Sequence, residues 1–447
     1  MRARRVRNRR QKGVVTVQRW LQMVSLLLVA ACPYVVAQTL EESIRATLRT
    51  NPDVLASQYS LDAAEQLKNQ ARGAYFPSVD LVLAGGYENS NNTTTRALGE
   101  DDLDFTRAER GIRVTQLLFD GASTRNFVKQ QSALVDAALA RLGSTQENIS
   151  LRAIQVYLEV LRRNEVVRLA ELNLAHHDET LEKITERFES GVGTKVDVVQ
   201  TRGRRAQAKS NVLLSQREAK NGIAEFYRVV GEYPEDLMLP DSVESLPQTL
   251  EEALELAIVN NPGIEAVEAE LAATEAARKG AKGAFYPRFD LELGATRNDD
   301  MDGSEGPNDD ETALVRMTYN LYRGGSDRAR LNEAEAREFA ARESLRSTQR
   351  AVEEDVTLIW NELQDILVRL EYLDAHVKST EEVLEVYREQ LTLGKRTLLD
   401  LLDVQNELLR AQIAKTTGDY VALLARYRVL AGTGQLLDTL GIEPEDS

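Results

Sequence analysis

Cysteine and histidine are almost missing from these 447 residues, which hold one Cys and three His. His176, His177 and His376 are too few and too scattered for a zinc site. His176 and His177 are adjacent, so they face different directions on a helix, and solvated positions are expected for both. No Ser/His/Asp or Cys/His grouping is evident. Gly191-Val192-Gly193-Thr194-Lys195 lacks the spacing of a phosphate-binding loop. No catalysis, bound nucleotide, other cofactor or metal is therefore expected, and energy for any work has to come from a partner. Long apolar runs are missing too. The run Met23–Cys32 is too short for a membrane-spanning helix, which needs roughly 20 apolar residues, and no other stretch approaches that length.

Acidic residues outnumber basic ones, 71 to 55, and the imbalance is hidden by the first residues. Arg2, Arg4, Arg5, Arg7, Arg9, Arg10, Lys12 and Arg19 form a basic lead before Met23–Cys32, and Val35-Val36-Ala37 carries small or modest residues where a signal peptidase reads. Residues 1–37 thus read as a secretory signal peptide. Removing them leaves 47 basic against 71 acidic residues, a net charge of −24. That field excludes nucleic acid as a partner. With cleavage after Ala37 the mature chain has no cysteine and no disulfide. The alternative is a lipoprotein cleavage box at Leu28-Val29-Ala30-Ala31-Cys32, which would make Cys32 a lipid-bearing N-terminus.

The rest of the chain contains itself twice. Thr39-Leu40-Glu41-Glu42 recurs at Thr249-Leu250-Glu251-Glu252, Asn51-Pro52 at Asn261-Pro262, and Gly73-Ala74-Tyr75-Phe76-Pro77 at Gly283-Ala284-Phe285-Tyr286-Pro287, all at an offset of 210. Residues 39–83 and 249–293 share 17 identities in 45 positions. Beyond Leu118-Phe119-Asp120-Gly121, which matches Leu321-Tyr322-Arg323-Gly324, the offset is 203. So long a period is not a solenoid unit. It divides the chain into a first repeat, 38–248, and a second, 249–447.

Each repeat reads in the same order. A helix from Thr39 to Arg72 carries Glu41 and Glu42 in its first turn and is broken or kinked at Asn51-Pro52. Two strands follow, alternating apolar and polar residues: Val79, Leu81, Leu83 and Tyr87, then Ile112 and Val114. In the second repeat they are Phe289, Leu291, Leu293 and Ala295, then Ala313, Val315, Met317, Tyr319 and Leu321. About ten residues per strand suits a tilted membrane strand, and aromatics cluster at the strand ends; a half-buried soluble hairpin is the alternative. Polar loops are expected at Glu88–Asp104 and Asn298–Glu311, the second a solvated acidic loop or a weak calcium site. Then come proline-free helices, Gly121–Ser190 and Gly325–Leu393, each roughly 100 Å long. The second has a seam at steps of four and three from Val352 through Val356, Ile359, Leu363, Ile366, Leu370, Leu373, Val377, Thr380, Leu384 and Tyr387 to Leu391, a heptad pattern that has to pack along other helices. Turns at Gly191–Gly193 and Gly394 lead into return helices, Val196–Val230 and Leu398–Leu430.

Four strands cannot close a barrel, and open edges are not tolerated in lipid. The chain must therefore pool strands with copies of itself, and the long helices would form a coiled-coil tube beneath the pooled barrel. The duplicated Asn-Pro, the paired Gly-Ala-aromatic-aromatic-Pro entries, Gln116-Leu117-Leu118-Phe119-Asp120-Gly121 and Gly394-Lys395-Arg396-Thr397-Leu398-Leu399-Asp400-Leu401-Leu402-Asp403 make the sequence resemble the TolC family of outer-membrane channel proteins. The likeness covers essentially the whole chain after residue 37. It is strongest to the branch serving type I secretion, including members that export large surface adhesins or RTX-like proteins. The resemblance implies an α+β membrane protein. It implies a homotrimer whose twelve strands form a β-barrel in outer-membrane lipid above a periplasmic tunnel of twelve helices. It also implies a tip closed at rest and opened by an inner-membrane ABC transporter with a periplasmic adaptor (membrane fusion) protein. By the same resemblance Asp400 and Asp403 ring the narrowest point, and Arg396 and Asp197 are a charged pair that latches the tip. The latch tyrosine of the family falls at Leu391, so that hydrogen bond is absent. On spacing alone Asp197, Asp400 and Asp403 are ordinary acids at helix starts. Two other readings stay open: the channel of a multidrug efflux pump with an RND partner, and a soluble periplasmic coiled-coil adaptor.

Overall fold

The structure, a computed structural model, describes residues 38–442 apart from Glu100, Ser242 and Glu244. Residues 1–37, where the sequence reading places a signal peptide and Cys32, lie outside the described residues. Helix α1 (Leu40–Thr50) starts in a capping box, with the Thr39 side chain on the Glu42 N–H and the Glu42 side chain on the Thr39 N–H. It stops at Asn51. Pro52, lacking the N–H that a continuing helix needs, opens α2 (Pro52–Gly73) instead, with the Asn51 side chain capping the Asp53 N–H. The second copy repeats the device in α6 (Leu250–Asn260) and α7 (Pro262–Ala281), with Asn261 on the Gly263 N–H. Both asparagines also reach sideways: Asn51 Nδ2 donates to the Val229 carbonyl at 3.1 Å and Asn261 Nδ2 to the Gly432 carbonyl at 3.2 Å. The Asn-Pro pairs thus break a helix and tie the break to the end of a return helix.

The strands β1 (Ser78–Ser90), β2 (Leu103–Phe119), β3 (Arg288–Met301) and β4 (Ser304–Thr318) form one antiparallel sheet in chain order. The β2–β3 pairing joins the two halves. Register puts Leu81 opposite Ile112, Val114 opposite Leu293 and Leu291 opposite Val315, so these residues share one apolar face. The other face carries Asp80, Arg113, Thr115, Asp290, Glu292 and Arg316, with Arg316 bonded to Glu292 at 2.7 Å. No core covers the apolar face within the chain: Leu81 is 67% exposed and Val315 65%. A half-buried soluble hairpin would have hidden that face. Apolar outside and polar inside is the pattern of a barrel wall.

The strands exceed ten residues because both expected loops contribute strand. Residues Asn298–Glu311 are not a loop: β3 and β4 run on through them to a two-residue turn at Asp302-Gly303, both with positive φ (56° and 78°). That is the geometry of a tight hairpin whose twist matches the strands. Glu88–Asp104 is strand to Ser90, then the short helix α3 (Thr93–Ala97) capped by Asn92, then strand again from Leu103. Asn92 Nδ2 donates to the Asp302 carbonyl at 2.7 Å, tying the two hairpin ends together.

The long helices are α4 (Ser123–Glu189) and α8 (Ser326–Thr392), 67 residues each, or roughly 100 Å at 1.5 Å per residue. Each folds back into a return helix, α5 (Lys195–Val230) and α9 (Leu398–Gly432). All twelve seam positions from Val352 to Leu391 are buried or half-buried. The largest core lies midway along α4, where Ile154, Tyr157 and Leu158 meet Leu40, Ile44, Phe226, Val230, Tyr427, Leu430 and Leu436. Leu436 belongs to the short α10 (Leu436–Thr439). Among the described residues no helix is long and apolar enough to cross a membrane.

Candidate functional site

The end of the molecule far from the sheet is made of two hairpin turns. After α4, Gly191 takes φ +78°, and Val192 and Gly193 return their N–H groups to the Arg187 carbonyl at 2.9 Å each. After α8, Gly394 takes φ +67° and Lys395 returns its N–H to the Gln390 carbonyl at 2.9 Å. These left-handed glycines reverse the chain within a few residues. Both return helices then open in the same way. The Thr194 side chain caps the Asp197 N–H and the Asp197 side chain caps Thr194; Thr397 and Asp400 repeat the arrangement. Two of the three aspartates singled out in the sequence are thus helix-capping acids, placed where the helix dipole favours them.

The third, Asp403, lies one turn further along α9 and accepts a hydrogen bond from Arg204 Nη2 of α5 at 2.6 Å. Arg204 was not foreseen, because it lies 199 residues away in sequence. Arg396 and Asp197 are not paired within the chain. The Arg396 guanidinium lies 4.4 Å from the centre of the Tyr387 ring. Its Nε donates to Gln390 Oε1 at 3.0 Å, and Nη1 stands 4.0 Å from Asp400. An aromatic face under a guanidinium is attractive in its own right, so Tyr387, one helical turn before Leu391, supplies an aromatic contact at the tip. Leu391 is not a gap either: with Leu181 it packs against Ile184, Val198, Leu398 and Leu402, the cluster that holds the two hairpin tips together. Arg187 Nη1 adds a long bond to the Leu391 carbonyl at 3.5 Å.

The histidines correct the sequence reading. His376 is exposed and His176 half-buried, but His177 has no exposed surface at all. The reason is periodicity. Ala170, Asn173, His177, Thr180 and Ile184 follow steps of three and four and are the inward positions of α4, all buried. Because three successive inward positions are polar, the heptad is invisible to a count of apolar residues. The spacing, continued through them, was the available signal.

The described geometry has known counterparts. The sequence matches the family described as "Outer membrane efflux protein" over residues 43–232 and 253–435. It is 26% identical over 411 residues to the outer membrane efflux protein BepC of Brucella suis, covering 91% of this chain and 88% of that protein. It is 22% identical over 440 residues to the alkaline protease secretion protein AprF of Pseudomonas aeruginosa, covering 95% and 89%. The crystal structure of the outer membrane protein VceC from Vibrio cholerae superposes with a TM-score of 0.74 at 20% identity, over 91% of this chain and 97% of that one.

Proposed function

The chain belongs to the outer membrane efflux protein family and is a channel protein of the outer membrane. From that premise we propose that it is the exit duct of a type I secretion system. It conducts a large protein, of the adhesin or RTX-like kind, from an inner-membrane ABC transporter and its periplasmic adaptor to the cell exterior. The observation that carries a duct is the four-stranded sheet itself. It is apolar on one face and polar on the other, uncovered within the chain, with both edge strands free among the described residues, and it continues directly into helices of roughly 100 Å. A wall with open edges has to be completed by further copies. Three copies, the number the TolC family uses, give twelve strands and a helical tunnel, and that tunnel carries cargo without chemistry of its own. In favour of secretion, the similarity to the alkaline protease secretion protein spans 95% of the chain.

The same reading brings Asp400 and Asp403 of three copies around the axis and lets Arg396 and Asp197, apart within one chain, meet between neighbours as the latch. A second reading has its own support, since the Brucella relative is described as an efflux protein: a drug-efflux duct with an RND partner. Deleting the gene distinguishes the two. For secretion, a large protein disappears from the surface and medium and accumulates in the cell, and the plasmid-borne gene restores export. If export is normal and only drug sensitivity rises, the efflux reading replaces it.

A further inference from the structure

Between the mid-helix core and the tip cluster, the packing of α4 against α5 and α9 turns polar. Asn173, His177 and Thr180 of α4 and Gln405 of α9 are all at least nine-tenths buried. One hydrogen bond joins them, from Gln405 Nε2 to Thr180 Oγ1 at 3.2 Å. Four buried atoms have no partner: Asn173 Nδ2, both ring nitrogens of His177, and Gln405 Oε1. Polar groups left unpaired out of water weaken the packing that hides them. Apolar layers bracket this one, Ala170 on one side and the Ile184–Leu402 cluster on the other. The layer is therefore a weak course between the mid-helix core and the tip cluster, placed 14 residues, or roughly 20 Å of helix, from the Gly191 turn.

The charges around the ring decide what protonation would do. From α5, Arg204 faces it, its own charge partly met by Asp403 of α9 at 2.6 Å. On α4 itself stand His176 and Asp178, the latter engaged by Arg205 of α5 at 2.5 Å. Arg388 of α8 bears on His176. From α9 comes Asn406, uncharged, whose side-chain amide approaches the ring and favours its protonated form, against burial and Arg204. Thus the ring has no carboxylate of its own, and its strongest charged neighbour is a cation. Burial first, then Arg204, hold its pKa below the ordinary 6.5. A group depressed in this way leaves the packed layer intact above about pH 6.5 and opposes it progressively as pH falls below that value.

We propose that the Asn173–His177–Gln405 layer is an acid-operated release point: a proton on the water-excluded His177 ring, with the half-exposed Arg204 beside it, drives α5 and α9 away from α4 and loosens the tip hairpins. The proposal concerns helix packing and does not depend on which cargo the duct carries.

Hydrogen exchange on the intact detergent-solubilised protein tests it. Between about pH 7.5 and about pH 5, after correction for intrinsic rates, protection of residues 170–184 and 398–409 should fall roughly tenfold or more, while residues 150–160 in the mid-helix core hold steady. In His177→Gln, neutral at every pH, the fall should be absent. Arg204→Gln, which removes the opposing cation and leaves the ring in place, should move the midpoint to higher pH, and this variant decides the matter if His177→Gln does not fold. A wild-type profile flat across this range, an equal fall in His177→Gln, or an unmoved midpoint in Arg204→Gln would each overturn the proposal.

Discussion

Glu147 is buried on α4 against the C-terminal turn. Its Oε1 accepts the Leu437 N–H at 3.3 Å, and its Oε2 has no partner. Burial pushes the carboxyl up to about 7, against the pull of the Leu437 N–H and with Asp438 adding to the rise. The sign follows directly. Between the ordinary 4.5 and about 7 the folded chain holds a proton that the unfolded chain has lost, so stability falls as pH rises through that window. The cost above the window is on the order of 3 kcal/mol at most. Glu147→Gln keeps an acceptor for Leu437 and removes the charge. It should therefore raise stability at about pH 8 by roughly 1–2 kcal/mol and flatten the pH dependence between about 5 and 7, read by denaturant unfolding at each pH. An unchanged slope would mean the carboxylate is solvated after all. None of this was legible in the sequence. Glu147 is one glutamate among many in a helix rich in them, and its environment is made by Leu437, 290 residues away. His177 shows the complementary failure: its place in the heptad is countable, but adjacency to His176 says nothing about which of the two faces inward.

The joint between sheet and helix is where single elements carry the most geometry. Asp120 Oδ2 accepts from the Thr124 N–H at 2.8 Å and its hydroxyl at 2.6 Å, so it caps α4. Gly121 and Ala122, both with positive φ, turn the chain from β2 into that helix. A Cβ on Gly121 would stand 2.7 Å from Tyr286 Cβ and 2.8 Å from the Gly283 carbonyl, whereas one on Gly324, its counterpart in the second copy, meets nothing within 4 Å. Gly121→Ala therefore combines a left-handed residue with a backbone collision and should cost about 3 kcal/mol; Gly324→Ala has the conformational term alone, about 1 kcal/mol. Thermal melts of the two variants compare them directly, and equal losses would show that the collision relaxes freely. At this scale much was readable. Prolines and glycines punctuate the helices where expected, and every seam position of α8 from Val352 to Leu391 is buried or half-buried. The misread element, Asn298–Glu311, is instructive. Its acidic residues suggest a loop only if strands are assumed to end at the membrane surface. In the proposed barrel the hairpin would continue outward past the lipid into water, where Asp and Asn on both faces cost nothing.

For the whole molecule, the decisive fact is that the sheet has neither a covered face nor a closed edge within one chain, so the tip too must be understood as part of an assembly. In the proposed trimer, Asp400 and Asp403 put six carboxylates about the axis, a ring that concentrates cations. The single chain adds a term that the sequence did not suggest. Asp403 is partly neutralised by Arg204, in a pair whose side chains are both well exposed, 41% and 58%. Such a pair is worth no more than about 1 kcal/mol and weakens with salt, so Arg204 tempers the ring rather than abolishing its field. Two opposite changes should then follow in planar-bilayer recordings at low ionic strength. Asp400→Ala with Asp403→Ala should remove most of the cation preference and raise the divalent concentration needed for block by about tenfold. Arg204→Gln should strengthen both modestly, about twofold, with the difference vanishing at high salt. The double aspartate variant also loses the Asp400 half of its capping box, so Asp400→Asn with Asp403→Asn, which keeps an acceptor for Thr397, separates charge from capping. If the asparagine pair conducts and selects like the unaltered protein, the acids serve α9 alone and the ring has no part in selectivity.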